Sequence, residues 1–353
     1  MEYLNGNRIQ EKRNIFFELH TDAPTAPLPT LNYAVLAVLF SAMKSGRTIV
    51  VDGPVSRRFL ENIEEFQQVF ASWTPERYRV VDIVAQKEVD DLPEERKDAA
   101  VCAFSGGVDA SFTVYRHLFK RPGKFHQNLR TAVLVHGWDI AVEQSEAFKR
   151  ATDASRRMLD GTGIGIATMR TNGRKLLPRW SQNFGAGLGS ILHQFAGNHD
   201  CGLIGSDEPY SDLVLPLGSN PISNPLMSSG SFRILTDGCR CTRSEKIAHI
   251  ADWQRATDNI RVCWEGPTTG ANCCKCEKCI RTIMNFRALG VSRPGAFPAD
   301  VRDEQIRGMR ALSPVQLTFM TDILRTARKN GVQGTWVGEV EELVRRHNTQ
   351  KAS

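Results

Sequence analysis

The chain has 353 residues, of which 41% are hydrophobic and 24% charged, and its formal net charge is +6. The length favours two or more compact units, and the composition is ordinary for a soluble globular protein. The mild positive charge suits an anionic ligand such as ATP or a nucleic acid, but no long Lys/Arg block singles out nucleic acid.

No charged-then-apolar leader begins the sequence, and its longest apolar run, residues 33–40, is too short to cross a bilayer. We therefore expect a cytoplasmic protein that makes no use of a membrane. The nine cysteines should stay reduced in that compartment. Clustered cysteines then suggest metal binding or chemistry rather than disulfides.

Residues 1–97 predict a small α/β domain followed by a linker. Polar residues 1–13 are expected to be loosely ordered. The predicted elements after them are a strand at 14–19, a helix at 31–45, a strand at 48–51, a helix after Ser56 and a strand at 78–85. Residues 86–97 are rich in charge and contain a proline, which is typical of a linker.

Residues 98–260 alternate between strand and helix patterns. The predicted strands are 101–104, 131–137, 164–169 and 203–205. Such repetition predicts an α/β fold with a doubly wound parallel sheet, whose ligands lie at the carboxyl ends of the strands. His136 and Asp139 follow one of these strands and are candidates for the rim of a nucleotide site. A histidine in that position is, however, often a structural hydrogen-bonding residue.

A glycine loop joins the first of these strands to a helix. Its sequence is Ser105-Gly106-Gly107-Val108-Asp109. Two glycines let the backbone approach a ligand, and the amides at a helix start lack intrahelical partners, so the turn predicts an anion site. Ser105, Ser111 and the loop amides would aim at a phosphate. The spacing matches neither a Walker A loop nor G-x-G-x-x-G. An ordinary strand–Gly-Gly–helix turn is the alternative.

Residues 206–230 form a long, irregular connection rich in proline and asparagine. Loops of this length inside a domain are usually functional or disordered, and the apolar residues argue against disorder. The candidate substrate ligands in it are Asp207, Glu208, Tyr210 and Asp212. Plain turn chemistry is the alternative for each of these side chains.

Basic residues precede the helix that follows this connection. Ser244 is the predicted cap of that helix. Arg240, Arg243 and Lys246 are candidates for phosphate contacts, although solvated charges at a helix start are the commoner outcome.

Five thiols lie within residues 263–279. Cys273, Cys276 and Cys279 recur every three residues, and Cys263, across a Gly-Pro turn, completes a set of four. Four thiolates predict a closed, structural zinc site, with Cys274 as a spare because adjacent side chains point apart. An iron–sulfur cluster and redox or sulfur-carrying thiols are the rival interpretations.

The Ser-Gly-Gly-x-Asp loop resembles that of the N-type ATP pyrophosphatases, also called the PP-loop superfamily. The loop followed by the cysteine set and an arginine-containing helix is similar to the 7-cyano-7-deazaguanine synthases over roughly residues 99–290. The chain departs from the pattern at Ala110, where the family has serine, and in its longer first cysteine spacing. The resemblance implies an adenine nucleotide alpha-hydrolase-like fold and zinc at Cys263, Cys273, Cys276 and Cys279.

The resemblance also implies a reaction. ATP and Mg²⁺ would bind at Ser105–Asp109, with Asp109 organising the Mg²⁺–pyrophosphate end and Ser105 beside it as the second catalytic residue. A small carboxylate, such as a 7-deazapurine, would be adenylated and then converted to an amide or nitrile with loss of AMP. The alternatives are an ATP-dependent sulfurtransferase acting on RNA or a small molecule, and an ATP-binding scaffold without turnover. Cys102, Cys239, Cys241 or Cys274 would carry the sulfur.

The remaining chain divides at residue 300. Residues 261–300 are the predicted zinc knuckle with its following helix, and residues 301–353 a helical tail with helices at 305–312, 314–329 and 336–347. The tail lies outside the resemblance and is expected to serve packing or interaction. A homodimer and a partner protein both remain open.

Overall fold

The structure, a computed structural model, describes the chain except residues 6–7, 24, 94, 264–269, 292, 310–311 and 353. Within the described residues the strands are β1 (Glu2–Asn5), β2 (Arg8–Lys12), β3 (Phe17–Thr21), β4 (Ile49–Ser56), β5 (Ile83–Val89), β6 (Ala100–Ala103), β7 (Leu129–His136), β8 (Gly165–Thr171), β9 (Cys201–Gly205) and β10 (Arg233–Asp237). The helices are α1 (Asn32–Ser45), α2 (Arg57–Trp73), α3 (Val108–Leu118), α4 (Ser145–Leu159), α5 (Trp180–His193), α6 (Arg243–Ala251), α7 (Gln254–Asn259), α8 (Glu277–Ala288), α9 (Asp303–Arg307), α10 (Pro314–Lys329) and α11 (Thr335–Ala352).

The central sheet has six strands in the order β10-β9-β6-β7-β8-β3. All neighbours pair in parallel except β3, which runs antiparallel to β8. The protein is therefore α/β with a mostly parallel sheet, as the strand–helix alternation predicts. The chain proceeds outward from β6 to β8 and then returns to β9 on the other side of β6, so the strand order reverses beside β6. Ligand sites of open parallel sheets lie at such a reversal.

Both faces of the sheet are covered, which explains why its strands are apolar runs rather than alternating ones. Val101 and Cys102 are neighbours in β6 and therefore point to opposite faces. Val101 packs in the core formed with α1, α2 and α5. Cys102 packs in the core formed with α3, α6, α8 and α10.

The N-terminal region contributes to the same core as the central sheet. β3 forms an edge of that sheet, and α1 packs against α5. The predicted cap of α2 is confirmed, because Ser56 Oγ accepts a hydrogen bond from the Phe59 amide at 3.1 Å. The expectation of loose order before residue 14 is wrong, since β1 and β2 pair as an antiparallel ribbon. The domain boundary at residue 97 stays a prediction.

The C-terminal helices pack on the sheet-covering helices rather than standing apart. α10 matches its predicted span, and it contacts both α8 and α6. Asp322 in α10 accepts a hydrogen bond from the Ser244 amide at the start of α6, with a distance of 3.0 Å. Among the described helices, none is both long and apolar enough to cross a membrane.

Candidate functional site

The glycine loop lies between the end of β6 and the first turn of α3. Gly106 has φ +75°, a left-handed conformation that glycine adopts without strain. Its carbonyl accepts a hydrogen bond from the Arg261 amide at 2.8 Å, and the Gly107 amide donates to Ser105 Oγ at 3.3 Å. Gly107 is the extended N-cap residue of α3. The loop therefore has a fixed shape next to the positive end of an 11-residue helix.

Ser111 does not face the loop, contrary to the expectation that its hydroxyl meets a phosphate. The residue is fully buried, and its hydroxyl points to Met158 Sδ in α4 at 3.5 Å. The reason is helical register, because Ser111 lies in the first turn of α3 on its inward side. Ala110, at the position where the loop that the sequence resembles has serine, instead lines the cleft described below.

Asp109, the acidic residue of the loop, is held by two cations. Its Oδ2 accepts from Arg243 Nη1 at 2.8 Å and its Oδ1 from Lys246 Nζ at 3.2 Å. Burial alone would raise the pKa of Asp109, but the charges and hydrogen bonds of both cations lower it below its ordinary value. Lys246 also donates to the backbone and hydroxyl oxygens of Ser206 after β9. One lysine thus joins α6, the loop and the end of β9.

A cleft of about 480 Å³ opens at the carboxyl ends of β6, β7 and β9. Ser105, Gly107 and Asp109 form part of its wall. Gly205 at the end of β9 lies so close to the loop that an added Cβ would be 2.8 Å from the Asp109 carbonyl oxygen. The basic residues that line the cleft are Arg174, Arg243, Arg261, Lys278 and Arg281. Its aromatic wall includes Trp138, Trp180, Phe184 and Phe319.

Two buried arginines lie against the ring of Phe319 in helix α10. The guanidinium carbons of Arg281 and Arg243 lie 4.1 Å and 5.6 Å from the ring centroid. Burial lowers the pKa of Arg281 to about 10, although Glu277 lies close to it. The tail predicted to serve packing therefore also forms a wall of the cleft.

The two rim candidates after β7 take different positions. Asp139 lines the cleft. His136 is buried, its Nε2 is 2.9 Å from the Ala141 carbonyl oxygen, and its ring stacks on Phe148. Burial lowers the pKa of His136, so the neutral ring is favoured. This placement agrees with the structural interpretation of His136 and not with a nucleotide contact.

Only one of the four predicted substrate ligands in residues 206–230 lines the cleft. That residue is Asp207, whose pKa is raised by burial and by the charge of Asp109. Glu208 is buried and accepts from the Val214 amide at 2.8 Å, whereas Tyr210 is 65% exposed. Asp212 accepts from the Ser211 hydroxyl within the same short 3-10 helix, Tyr210–Asp212. The last three side chains therefore follow turn chemistry rather than cleft geometry.

The four predicted metal ligands come together. The Sγ atoms of Cys263, Cys273, Cys276 and Cys279 all lie within 4.8 Å of one another. The Cys263–Cys276 and Cys273–Cys279 pairs are 3.7 Å and 4.0 Å apart. Tetrahedral thiolates at Zn–S bonds of about 2.3 Å would be about 3.8 Å apart, so the set can hold a metal ion such as zinc. Such compactness favours a single ion over an iron–sulfur cluster.

Local backbone geometry explains why Cys274 is excluded from this set. Cys274 has φ +55°, which turns its side chain toward the Asn272 carbonyl. Cys276 is the N-cap of α8 and its amide lies 3.3 Å from Cys273 Sγ. The pKa of Cys276 is lowered to about 5, mainly because of the hydrogen bond with Cys279. The predicted Gly-Pro turn falls at residues 264–269, outside the described residues.

Asn272 connects the two cysteine-bearing segments. Its Oδ1 accepts from the Val262 amide at 2.9 Å and the Cys263 amide at 3.3 Å. Its Nδ2 donates to the carbonyls of Ile260 and Ala296. The segment before Cys263 is thus held in register with the knuckle, and the same segment supplies the Arg261 amide that binds the glycine loop.

The thiols proposed as sulfur carriers are all buried. Those residues are Cys102, Cys239, Cys241 and Cys274. Burial raises the pKa of each of these thiols. Reactive thiols usually have a lowered pKa and some access to solvent, so this arrangement is that of inert cysteines.

Sequence reasoning missed most of the cationic wall of the cleft. Arg261, Lys278 and Arg281 lie next to the cysteines in the sequence. That proximity to the cysteine motif is the sequence feature that could have indicated their place in the cleft. The sequence offers Arg243 as a phosphate contact but favours a solvated side chain, whereas the structure buries Arg243 with only 6% of its surface exposed. The predicted cap Ser244 is also wrong, because Thr242 caps α6 in a capping box with Glu245. That shift by two residues places Arg243 in the first turn of α6.

Comparisons with protein-family models, with curated proteins and with solved structures gave no match for this chain. The functional argument therefore depends on the cleft, the glycine loop and the cysteine set. These three features are adjacent, because Arg261 and Cys263 both line the cleft. Lys278, between the candidate ligands Cys276 and Cys279, lines the cleft as well.

Proposed function

We propose that this chain is an ATP-dependent ligase of the PP-loop type with a doubly wound adenine nucleotide alpha-hydrolase-like fold. ATP binds in the cleft with its phosphates at Ser105–Gly107. A small carboxylate, for which a 7-deazapurine is the candidate, attacks the α-phosphate and releases pyrophosphate. An amine or ammonia then displaces AMP and leaves an amide. For the primary amide formed from ammonia, a second ATP adenylates the amide oxygen with release of pyrophosphate, and loss of AMP with that oxygen and of two protons gives the nitrile.

The single observation that carries the proposal is the position of the loop inside the cleft. The glycine turn and the amino end of α3 form part of the wall of a cleft of about 480 Å³, and Arg261, whose amide binds the Gly106 carbonyl, lines the same cleft. Backbone amides at a helix start and guanidinium groups are the donors that bind phosphate in proteins. Aromatic side chains at Trp138 and Trp180 offer flat surfaces for a base.

Mg²⁺ would be held between two carboxylates of the cleft wall. Asp109 and Asp207 both line the cleft, and the negative charge of Asp109 contributes to the raised pKa of Asp207. A divalent cation between two carboxylates relieves such repulsion. When bound, it would neutralise charge on the leaving pyrophosphate. Zinc at the four cysteines would be structural, since a closed four-thiolate set leaves no open position.

A second candidate function is ATP binding without turnover. It is favoured by the two hydrogen-bonded cations on Asp109, which occupy both of its carboxylate oxygens. Sulfur transfer is less favoured, because the available thiols are buried and have raised pKa values.

Pyrophosphate release from ATP tests the proposal. The substitution Gly107→Ala keeps an allowed backbone, because Gly107 has φ −81°, and the added Cβ would be 3.2 Å from Ser105 Oγ, a hydroxyl that can rotate. The methyl group occupies the surface that a phosphate would approach. We expect ATP to bind about tenfold more weakly or worse, which is about 1.4 kcal/mol. Isothermal titration calorimetry gives the affinity.

Gly338→Ala in α11 is the matched control, since beyond the neighbouring backbone of its own helix the added Cβ meets no described atom within 4 Å. It should bind ATP as the unaltered chain does. Wild-type protein should form AMP and pyrophosphate from ATP when a 7-deazapurine carboxylate and ammonia are present. Binding of ATP without AMP formation across a panel of small carboxylates would establish the second candidate instead.

A further inference from the structure

We propose that Arg281 and Arg243, arranged around the ring of Phe319, form a second anion subsite in the cleft that takes the carboxylate of the acceptor substrate. This subsite is separate from the backbone amides of the glycine loop. The inference rests on the proposed function for the identity of the ligand. The existence of the subsite is argued from the cleft geometry alone.

Unsatisfied donors are the first argument. Arg281 is 3% exposed and Arg243 is 6% exposed, and both line the cleft. Within the described part of the chain, Nε and Nη1 of Arg281 and Nε of Arg243 have no hydrogen-bond partner. Buried polar groups in folded proteins are nearly always paired, and an unpaired one costs free energy. A ligand with acceptor oxygens would satisfy these donors.

The acidic neighbours do not satisfy them. Glu277 Oε1 is 3.0 Å from Arg281 Nε but is not aligned for a hydrogen bond, and among the described residues Oε1 has no hydrogen-bond partner. Asp109 bonds only Nη1 of Arg243. In the part of the chain that the structure describes, Nη1 of Arg281 and Nε of Arg243 therefore remain as buried donors without an acceptor. Because Arg forms paired, coplanar hydrogen bonds with carboxylates, a planar oxyanion fits this arrangement best.

Preorganisation is the second argument. The ring of Phe319 lies 4.1 Å from the Arg281 guanidinium carbon and 5.6 Å from that of Arg243. Stacking restricts the rotation of a long side chain, so less entropy is lost when a ligand binds. Phe319 therefore acts as a positioning residue.

Two sources of an oxyanion are available in the proposed reaction, the acceptor carboxylate and a phosphate of ATP that extends beyond the loop. Benzoate represents the first, and inorganic pyrophosphate represents the second. Binding of each is measured in the full-length, zinc-loaded protein, with calorimetry for pyrophosphate and ligand-observed NMR for benzoate. The variants are Arg281→Lys, which keeps the charge but loses the paired geometry, and Phe319→Leu, which keeps both arginines.

Arg287→Lys is the matched control, because Arg287 lies on the same helix and pairs with Asp300 away from the cleft. We expect Arg281→Lys to weaken benzoate binding about tenfold or more, as loss of charged hydrogen bonds does. Phe319→Leu should weaken it less, by a few-fold, and the control not at all. Pyrophosphate affinity should stay within about twofold in every variant.

The reverse pattern, with pyrophosphate weakened and benzoate unchanged, would assign the subsite to a phosphate of ATP. If the wild-type protein binds neither probe, or if Arg281→Lys changes neither affinity, the subsite does not exist. These binding measurements need no turnover. A failure of AMP formation with intact probe binding would therefore overturn the ligase and not the subsite.

Discussion

Asp109 has both of its carboxylate oxygens bound to cations that lie 134 and 137 residues away in the sequence. Removing one partner of a buried charge pair leaves the other charge uncompensated, which typically costs about 3–5 kcal/mol. Lys246 is 1% exposed, so Asp109→Ala would destabilise the protein as well as alter the loop. Gly107→Ala tests the loop without that complication.

Glu208 is the residue whose titration should be visible in the stability of the protein. It is 2% exposed, and burial, with the charge of Asp207, raises its pKa to about 7 from an ordinary value of 4.5. The unfolded chain therefore releases this proton before the folded chain does. Stability contributed by the protonated group is lost as the pH rises from about 4.5 to 7.

We predict that Glu208→Gln removes this loss. The amide oxygen of glutamine can still accept from the Val214 amide, but no charge is buried at high pH. Relative to wild type, the variant should gain up to about 3 kcal/mol between pH 5 and pH 8, at about 1.4 kcal/mol for each pKa unit. Urea unfolding at the two pH values measures the difference. If the free energies of unfolding of the variant and the wild type differed by the same amount at both pH values, the raised pKa of Glu208 would be contradicted.

The cysteine knuckle and helix α8 give a prediction at the scale of a single element. Cys276 is both a member of the four-thiol set and the N-cap of α8. Because metal binding is coupled to local folding, Cys276→Ser should lose the metal and reduce the stability of α8. Elemental analysis should find about one zinc ion per chain in the unaltered protein, and clearly less in this variant.

Cys274→Ser is its natural comparison, since Cys274 is buried nearby but points away from the set. It should keep both the zinc ion and the stability of the protein. Metal loss in Cys274→Ser together with retention in Cys273→Ser would show that the ligand set is wrong. Finding iron and acid-labile sulfide in the purified protein would indicate an iron–sulfur cluster in place of zinc.

Element by element, the sequence predicts what depends on local chemistry. The cysteine spacing predicts the correct four thiols, and the span of α10 follows from its Ser313 cap and the proline after it. Charged side chains that face inward cannot be predicted in this way. Arg243 and Arg281 look like solvated helix residues until the partner helix α10 places Phe319 beside them. A contact between distant segments leaves no local pattern.

At the scale of the whole molecule, apolar runs joined by helices predict a parallel sheet, and the sheet has that character. The strand order does not follow from such runs, because each of them would pair with any neighbour equally well. β3 shows this most clearly, since the sequence assigns it to a separate N-terminal domain and it forms the edge of the central sheet. Its pairing with β8 joins segments about 150 residues apart.

The hydrogen bond from the Arg261 amide to the Gly106 carbonyl has a thermodynamic consequence. Residue 261 lies two positions before the candidate metal ligand Cys263, and Asn272 fixes that short segment. Whatever orders the knuckle therefore also orders the loop, so the two sites should be energetically linked. Reciprocity then requires that if chelation of zinc weakens ATP binding by some factor, saturating ATP must tighten zinc binding by the same factor. Competition with a coloured chelator, with and without ATP, measures both sides of that cycle, and independent affinities would show that the hydrogen bond transmits nothing.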